Sequence, residues 1–448
     1  MPLEEYKMGS ASFNLDRYFR SVEETDTIKT IGTVTRAVGL TIESLGPPVS
    51  IGELCEISST GAGGSIPAEV VGFRNNSVIS MPLYKSDGVK LGDRIICRGK
   101  RTVIPVGPAL LGRVVNALGE PIDGLGPIES AARYPIYSQE TNPMQRRNIE
   151  QPIGTGIRTI DGLLTCGKGQ RIGIFGGSGV GKSTLLGMMS RNTSADISVI
   201  GLVGERGREV RAFIEKDLGE EGLKRSVVVV STSDQPPLLR IRAALTATTI
   251  AEYFRDQGKD VLLVMDSVTR FAMAQREVGL AAGEPPSSKG YTPSVFSLLP
   301  RVMERAGNFL SGGSITGFYT VLVEGDDMTE PIADSVRSLL DGHVVLNREL
   351  AWRNHYPAID VLASVSRLMD ALVPKAYRDK AGKIREWMSI YSKAEDMINI
   401  GAYVKGSNQK IDQAIKKFDV INAFLKQRYD EQVSLADAYA GVEWLTKD

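Results

Sequence analysis

The sequence lacks the features that mark several whole classes of protein. It has no excess of charge: 53 lysines and arginines balance 53 aspartates and glutamates, so no global field draws the chain to nucleic acid or to an anionic membrane. Its two histidines, His343 and His355, are too few and too far apart to suggest a metal centre. The three cysteines, Cys55, Cys97 and Cys166, lack metal-ligand spacing and are read as reduced, mostly buried thiols of a cytosolic protein. No stretch of about 18 uncharged apolar residues occurs, which leaves no candidate membrane span. The first thirty residues hold no apolar signal-peptide core. Low-complexity runs and internal repeats are also missing. The 448 residues are enough for two or three domains with a substantial core.

Against this background one stretch stands out. Residues 176–184 read Gly176-Gly177-Ser178-Gly179-Val180-Gly181-Lys182-Ser183-Thr184, which fits G-x-x-x-x-G-K-[ST]. Four glycines let successive backbone N–H groups turn inward around a triphosphate without Cβ clashes. Lys182 is spaced to reach the β- and γ-phosphates, and the Ser183 hydroxyl to ligate Mg²⁺. The apolar run 171–175 precedes the loop, and Leu185, Leu186, Met188 and Met189 follow at helical spacing. The loop therefore joins a strand to a helix, whose N-terminal dipole adds to the anion site. The sequence predicts nucleoside triphosphate binding.

The texture changes along the chain. Residues 1–27 carry Leu3, Tyr6, Phe13, Leu15, Tyr18, Phe19 and Val22 among charges, a pattern that fits either a frayed terminus or an amphipathic partner-docking helix. Residues 28–99 alternate short β-type runs, such as 32–35 and 70–73, with Gly, Pro and Asn turns, which predicts a small β-barrel. Residues 100–369 read as strand–helix alternation, hence a parallel α/β sheet. Its candidate strands are 171–175, 199–203, 227–231, 261–265 and 317–323, nearly continuous in Val, Ile and Leu, as burial on both faces requires. Residues 208–218 and 239–255 suit helices. Residues 370–448 turn helical, with Ile411, Ala414, Ile415, Phe418 and Ile421 at spacings of three and four, and Ser434 with Asp437 as a capping box.

Two further elements carry chemistry. The run 261–265 leads straight into Asp266, a carboxylate at the carboxyl edge of a buried strand, where open parallel sheets bind ligands. Beside a phosphate loop it is read as the Walker B aspartate, which orients Mg²⁺ directly or through water. The run 199–204 ends in Glu205-Arg206. A carboxylate beside Mg·ATP polarises the attacking water, and an adjacent arginine stabilises charge on the phosphoryl oxygens. From chemistry alone the same pair also fits an exposed, dipole-favoured helix start.

The loop, Gly204-Glu205-Arg206, Asp266 and Tyr356-Pro357-Ala358-Ile359-Asp360 together resemble the catalytic subunits of rotary ATP synthases. The stretches 319–327, 340–343 and 354–367 look closer still to the type III secretion ATPases. Within that group, 39–48, 363–367 and 401–408 are more similar to the flagellar export ATPase than to the injectisome enzyme. The resemblance runs from about residue 28 to the end. It implies a RecA-like ATPase core at 100–369, an N-terminal β-barrel at 28–99 and a C-terminal helical domain at 370–448.

By position, the resemblance implies that Glu205 is the base that positions water and that Arg206 touches the γ-phosphate. Tyr356 would stack on adenine. Arg367 would be an arginine finger supplied to the neighbouring subunit's site, with an intrachain ion pair as its alternative. The loop Gly279–Pro286 would face a ring channel and a central stalk protein, and residues 1–27 would dock a stator-like regulatory partner.

The implied protein is a Mg²⁺-dependent ATPase, a homohexamer on the cytoplasmic side of the inner membrane. It would act with export-gate membrane proteins, export substrates and their chaperones. The alternatives are an injectisome secretion ATPase, a rotary synthase subunit, a non-catalytic nucleotide-binding ring subunit, against which Glu205 counts, and an RNA translocase. Zero net charge and the lack of a basic, aromatic platform in residues 28–99 disfavour the last of these.

Overall fold

The computed structural model describes Phe19 and residues 30–447, apart from 59–63, 98, 100, 101, 138–141, 324 and 326. The amphipathic pattern assigned to residues 1–27 therefore lies outside the described residues, Phe19 excepted.

Residues 1–101 contain the first unit. Its strands are β1 (Thr30–Val38), β2 (Thr41–Leu45), β3 (Leu54–Ser58), β4 (Ser65–Arg74), β5 (Ser77–Pro82) and β6 (Arg94–Cys97). They close into a barrel in the order β1-β2-β5-β4-β3-β6. Period-two alternation sends Val34, Ile42, Ile57, Ile66, Val70, Val78 and Ile95 inward as one apolar core. The β4–β5 hairpin turns on Asn75 and Asn76, both at positive φ (47° and 64°), which asparagine tolerates better than other residues with a side chain.

The reading of three reduced thiols is corrected here. β3 and β6 pair antiparallel with Cys55 opposite Cys97, their Cα atoms are 4.3 Å apart, and the two are joined as a disulfide. Forty-two residues separate them in sequence, so only the barrel's strand order reveals the pair. Cys166 is free and buried.

The second unit, Thr102–Asp448, is built on a nine-stranded sheet. We number eight of its strands β7 (Val114–Asn116), β8 (Arg171–Gly176), β9 (Ile197–Glu205), β10 (Ser226–Thr232), β11 (Asp260–Asp266), β12 (Ser314–Leu322), β13 (Gly342–Leu346) and β14 (Ile359–Ser366). Their order is β14-β13-β8-β12-β11-β9-β10-β7. Every pairing along this path is parallel except that of β13 with β14, an antiparallel edge.

The five apolar runs in the sequence are β8 to β12, and the parallel core, small barrel and helical C-terminal region are the architecture expected. β12 lies between the loop strand β8 and β11, which ends in Asp266.

Three helices follow β8, β10 and β11 in turn: α1 (Lys182–Asn192), α2 (Pro237–Asp256) and α3 (Val268–Ala282). α2 is buried along nearly its whole length and packs on β9, β10 and β11, which explains its lack of a polar face. The loop expected from Gly279 begins later. Gly279–Ala282 complete the last turn of α3, and Gly283 caps it at φ 94°. Gly279 is a packing glycine, since a Cβ there would sit 2.5 Å from Thr292 Oγ1.

At the carboxyl end, α4 (Lys375–Asn399), α5 (Gln409–Leu425) and α6 (Leu435–Leu445) bury Tyr377, Ile384, Trp387, Ile421, Leu425 and Val442 together. The Asn408 side chain accepts from the N–H groups of Lys410 and Ile411, and the Ser434–Asp437 capping box is formed. Among the described residues no helix is long and apolar enough to cross a membrane.

Candidate functional site

The loop between β8 and α1 owes its shape to glycine. Gly179 and Gly181 sit at φ +81° and +84°, left-handed positions that side chains resist. Gly176 and Gly181 are also close-approach positions: a Cβ would lie 2.9 Å from Leu346 Cβ at the first and 3.2 Å from the Tyr356 ring at the second. Val180 is buried and anchors the loop from within. No side chain caps α1 at Gly181, so its first N–H groups face the cavity as an anion site.

The strand order brings the charged residues together. Lys182 Nζ lies 2.5 Å from Asp266 Oδ1, with both side chains largely buried. The Thr320 hydroxyl, on the intervening β12, donates to the same oxygen at 2.7 Å. Glu205 ends β9, which pairs with β11 at Leu202 opposite Asp266. Burial and the Asp266 carboxylate push Glu205 up to about 7, a hydrogen bond with Glu209 adds to the rise, and Lys182 and Arg270 oppose it.

Arg206 projects into solvent, its Nη1 3.5 Å from Glu209. Arg270, in the first turn of α3, packs so closely on Gly204 that a Cβ there would be 3.0 Å from its own Cβ. Its buried Nε has no hydrogen-bond partner among the described residues.

Two cavities share Gly179, Gly181 and Thr184. The first, about 710 Å³, is lined by Gly177, Ser178, Lys182, Ser183, Glu205, Arg206, Arg270 and Arg348. The second, about 660 Å³, is lined by Leu185, Met188, Tyr356, Pro357, Lys426, Gln427 and Tyr429. One is polar and cationic and the other mostly apolar and aromatic, which suits the phosphate and base ends of one nucleotide. Tyr356 is partly exposed at the mouth of the second. Buried Gln427 pins that wall: its N–H donates to Tyr356 O at 2.9 Å, its Nε2 to Gly156 O at 2.8 Å, and its Oε1 accepts from Arg158 N at 2.8 Å.

The structure gathers the glycine loop with Lys182 and Ser183, Glu205, Arg206 and Tyr356 along the two adjoining cavities, with Asp266 behind Lys182; Arg270, Thr320, Arg348 and the 426–429 wall were not expected from the sequence. Arg270 had a readable signal, being one turn past Asp266. Thr320 had none of its own, since Ser314, Thr316 and Tyr319 are buried hydroxyl residues of the same strand.

Arg367 stands elsewhere. It follows β14, whose Ser366 pairs with Gly342, and its N–H donates to Asp341 O at 3.0 Å while Asp341 N donates to Arg171 O. That places Arg367 level with the start of β8, about 16 Å along the strands from Gly176. It lines neither cavity. Its guanidinium donates to Arg337 O at 3.3 Å and makes no ion pair among the described residues.

Among the described residues no cluster of His, Cys, Asp and Glu is placed to hold a metal unaided. Ser183 lines the polar cavity and Asp266 lies behind it against Lys182; both are hard oxygen donors, a set that suits Mg²⁺, which keeps water and takes further ligands from phosphate.

Comparison with known proteins agrees with this geometry. Residues 156–366 match the "ATP synthase alpha/beta family, nucleotide-binding domain", and 373–443 match the "T3SS EscN ATPase C-terminal domain". The chain is 54% identical over 432 residues to the "Flagellum-specific ATP synthase" of Bacillus subtilis, covering 95% of this chain and 97% of that one. The chain belongs to the flagellar and type III secretion branch of the ATP synthase alpha/beta family. It is also 52% identical to the "Type 3 secretion system ATPase" of Xanthomonas euvesicatoria, over 89% of this chain and 90% of that one. The structure of the assembled ATPase EscN from enteropathogenic E. coli aligns at a TM-score of 0.87 and 44% identity, covering 92% of this chain and 99% of that one. A further structure of EscN, in complex with its central stalk EscO, aligns at 0.85.

Proposed function

We propose that this chain hydrolyses Mg·ATP in the groove under the 176–184 loop, as a homohexamer that energises a flagellar protein-export apparatus. The reading rests on one juxtaposition: Lys182, Asp266 and Glu205 converge beside the glycine loop, while Arg367 lies at the opposite edge of the same sheet.

The loop N–H groups and Lys182 hold the phosphates, and Tyr356 stacks against the base. Ser183 and Asp266 would hold Mg²⁺, which would neutralise developing phosphate charge when bound. Glu205 accepts the proton of the attacking water. A cation is needed on the far side of the γ-phosphate, and Arg367 supplies it to the next subunit. Arg206 sits at the open mouth, where it can touch the γ-phosphate.

Assembly as a ring is supported by the assembled EscN, and a stalk partner by the EscN–EscO complex. The segment around Gly279–Pro286 is the proposed stalk contact, and residues 1–27 the stator contact. The working division is 1–27, 28–99 (barrel), 100–369 (ATPase) and 370–448 (helical). Export-gate membrane proteins, substrates and chaperones would be met at the cytoplasmic face of the inner membrane.

The test is purification of the native complex from its cells. It should hydrolyse ATP only with Mg²⁺ and carry a flagellar stator-like partner. No Mg·ATP turnover contradicts the enzymatic reading, and an injectisome stator partner in its place overturns the flagellar one.

Glu205 also predicts a pH dependence. It acts as a base only when ionised, and its raised pKa of about 7 means that acidification protonates it early. kcat/KM, which reports the free enzyme, should fall as pH drops through about 7. A profile flat down to the ordinary carboxylate range would contradict the assignment.

A further inference from the structure

Asp266 is held by a group that the reaction just described does not use. Thr320 is fully buried in β12, and its hydroxyl lies 2.7 Å from Asp266 Oδ1, nearer than the Met265 carbonyl at 3.2 Å. Its neighbours Phe318, Tyr319 and Val321 are equally buried, so no water reaches this hydroxyl and its partner must come from within the protein. Its place is fixed from both sides. Thr320 pairs with Ile174 on the loop strand, Tyr319 pairs with Met265 on β11, and two residues on Leu322 N donates to Thr269 Oγ1 at 2.8 Å. The last bond fastens the end of β12 to the first turn of α3.

The electrostatics give this bond a use. The buried Asp266 charge is balanced by Lys182, on the same Oδ1 that Thr320 holds. A triphosphate draws Lys182 to the phosphates. A buried carboxylate that loses its counter-ion is strongly disfavoured, unless the divalent cation arriving with the nucleotide takes over the charge. A carboxylate free to rotate would follow Lys182.

We propose that Thr320 is a positioning residue, the donor that Asp266 keeps while its counter-charge passes from Lys182 to the divalent cation. The proposal rests on the Mg·ATPase reading above and extends it to a residue outside the groove.

The test compares full-length wild type, Thr320→Val and Thr320→Ser by the affinity of a fluorescent ATP analogue in EDTA and across a Mg²⁺ titration. Thr320→Val, nearly isosteric, should bind the analogue in EDTA like wild type, which also shows that it is folded. Its Mg²⁺ midpoint, for binding enhancement and for turnover alike, should rise roughly 10- to 100-fold, the usual effect of losing a partner of a metal ligand. Thr320→Ser should restore both. If the valine variant does not bind in EDTA, Thr320→Ala, which adds no bulk, replaces it.

An unchanged Mg²⁺ midpoint, or an equal loss of affinity with and without Mg²⁺, overturns the proposal. A wild type with no Mg²⁺ dependence at all overturns instead the reading on which it rests.

Discussion

Glu205→Gln should lower ATP turnover by roughly 10²- to 10⁴-fold, the range for loss of a general base, while nucleotide binding persists. The substitution is isosteric and leaves the binding elements in place: Gly176–Gly181, Lys182, Ser183 and the Tyr356 wall do not depend on the Glu205 carboxylate. Glutamine lacks the basic oxygen that accepts a proton from water. It also removes a partly buried negative charge beside the γ-phosphate position, so the affinity for ATP should hold or rise slightly. Stopped turnover with retained binding of a fluorescent analogue is the expected pair of results. Turnover within a few-fold of wild type would take Glu205 out of the chemistry.

Arg367→Ala should lower turnover still further, by roughly 10³- to 10⁵-fold, as arginine fingers do, with little cost to the fold. The side chain is exposed, and its guanidinium has one weak contact, at 3.3 Å to Arg337 O, so thermal unfolding should be nearly unchanged. Within one chain it stands at the amino edge of the sheet, level with Arg171, and lines neither cavity, so a large loss of hydrolysis at unchanged stability would point to a site on another copy. Full activity in the alanine variant would leave Arg367 as a surface residue.

What was legible in the sequence was local. Gly179 and Gly181 at positive φ, the apolar runs of β8 to β12 and the Ser434–Asp437 cap each declare themselves within a few residues. What was not legible depends on register and strand order. Cys55 and Cys97 meet only because β3 and β6 pair. Thr320 reaches Asp266 only because β12, later in sequence, inserts beside β11. The Gln427–Tyr429 wall comes from the far end of the chain, and no local pattern announces it. The strands β13 and β14, at one end of the sheet, were not read as strands, since their burial alternates with exposure rather than running continuous. The onset of the loop after α3 was read early because Gly279 looks like a breaker and is a packing contact instead.

The central claim is that each nucleotide groove is half of a site. It is tested most directly by mixing Arg367→Ala protein with Lys182→Ala protein and measuring ATP hydrolysis. Each variant alone should be inactive, one for want of a finger and the other for want of the lysine that now pairs with Asp266. In a randomly mixed ring about a quarter of the interfaces join one intact loop to one intact finger. The mixture should therefore recover activity, with a maximum near equal proportions. Hydrolysis that stays at the level of the separate variants at every ratio would contradict a site shared between subunits.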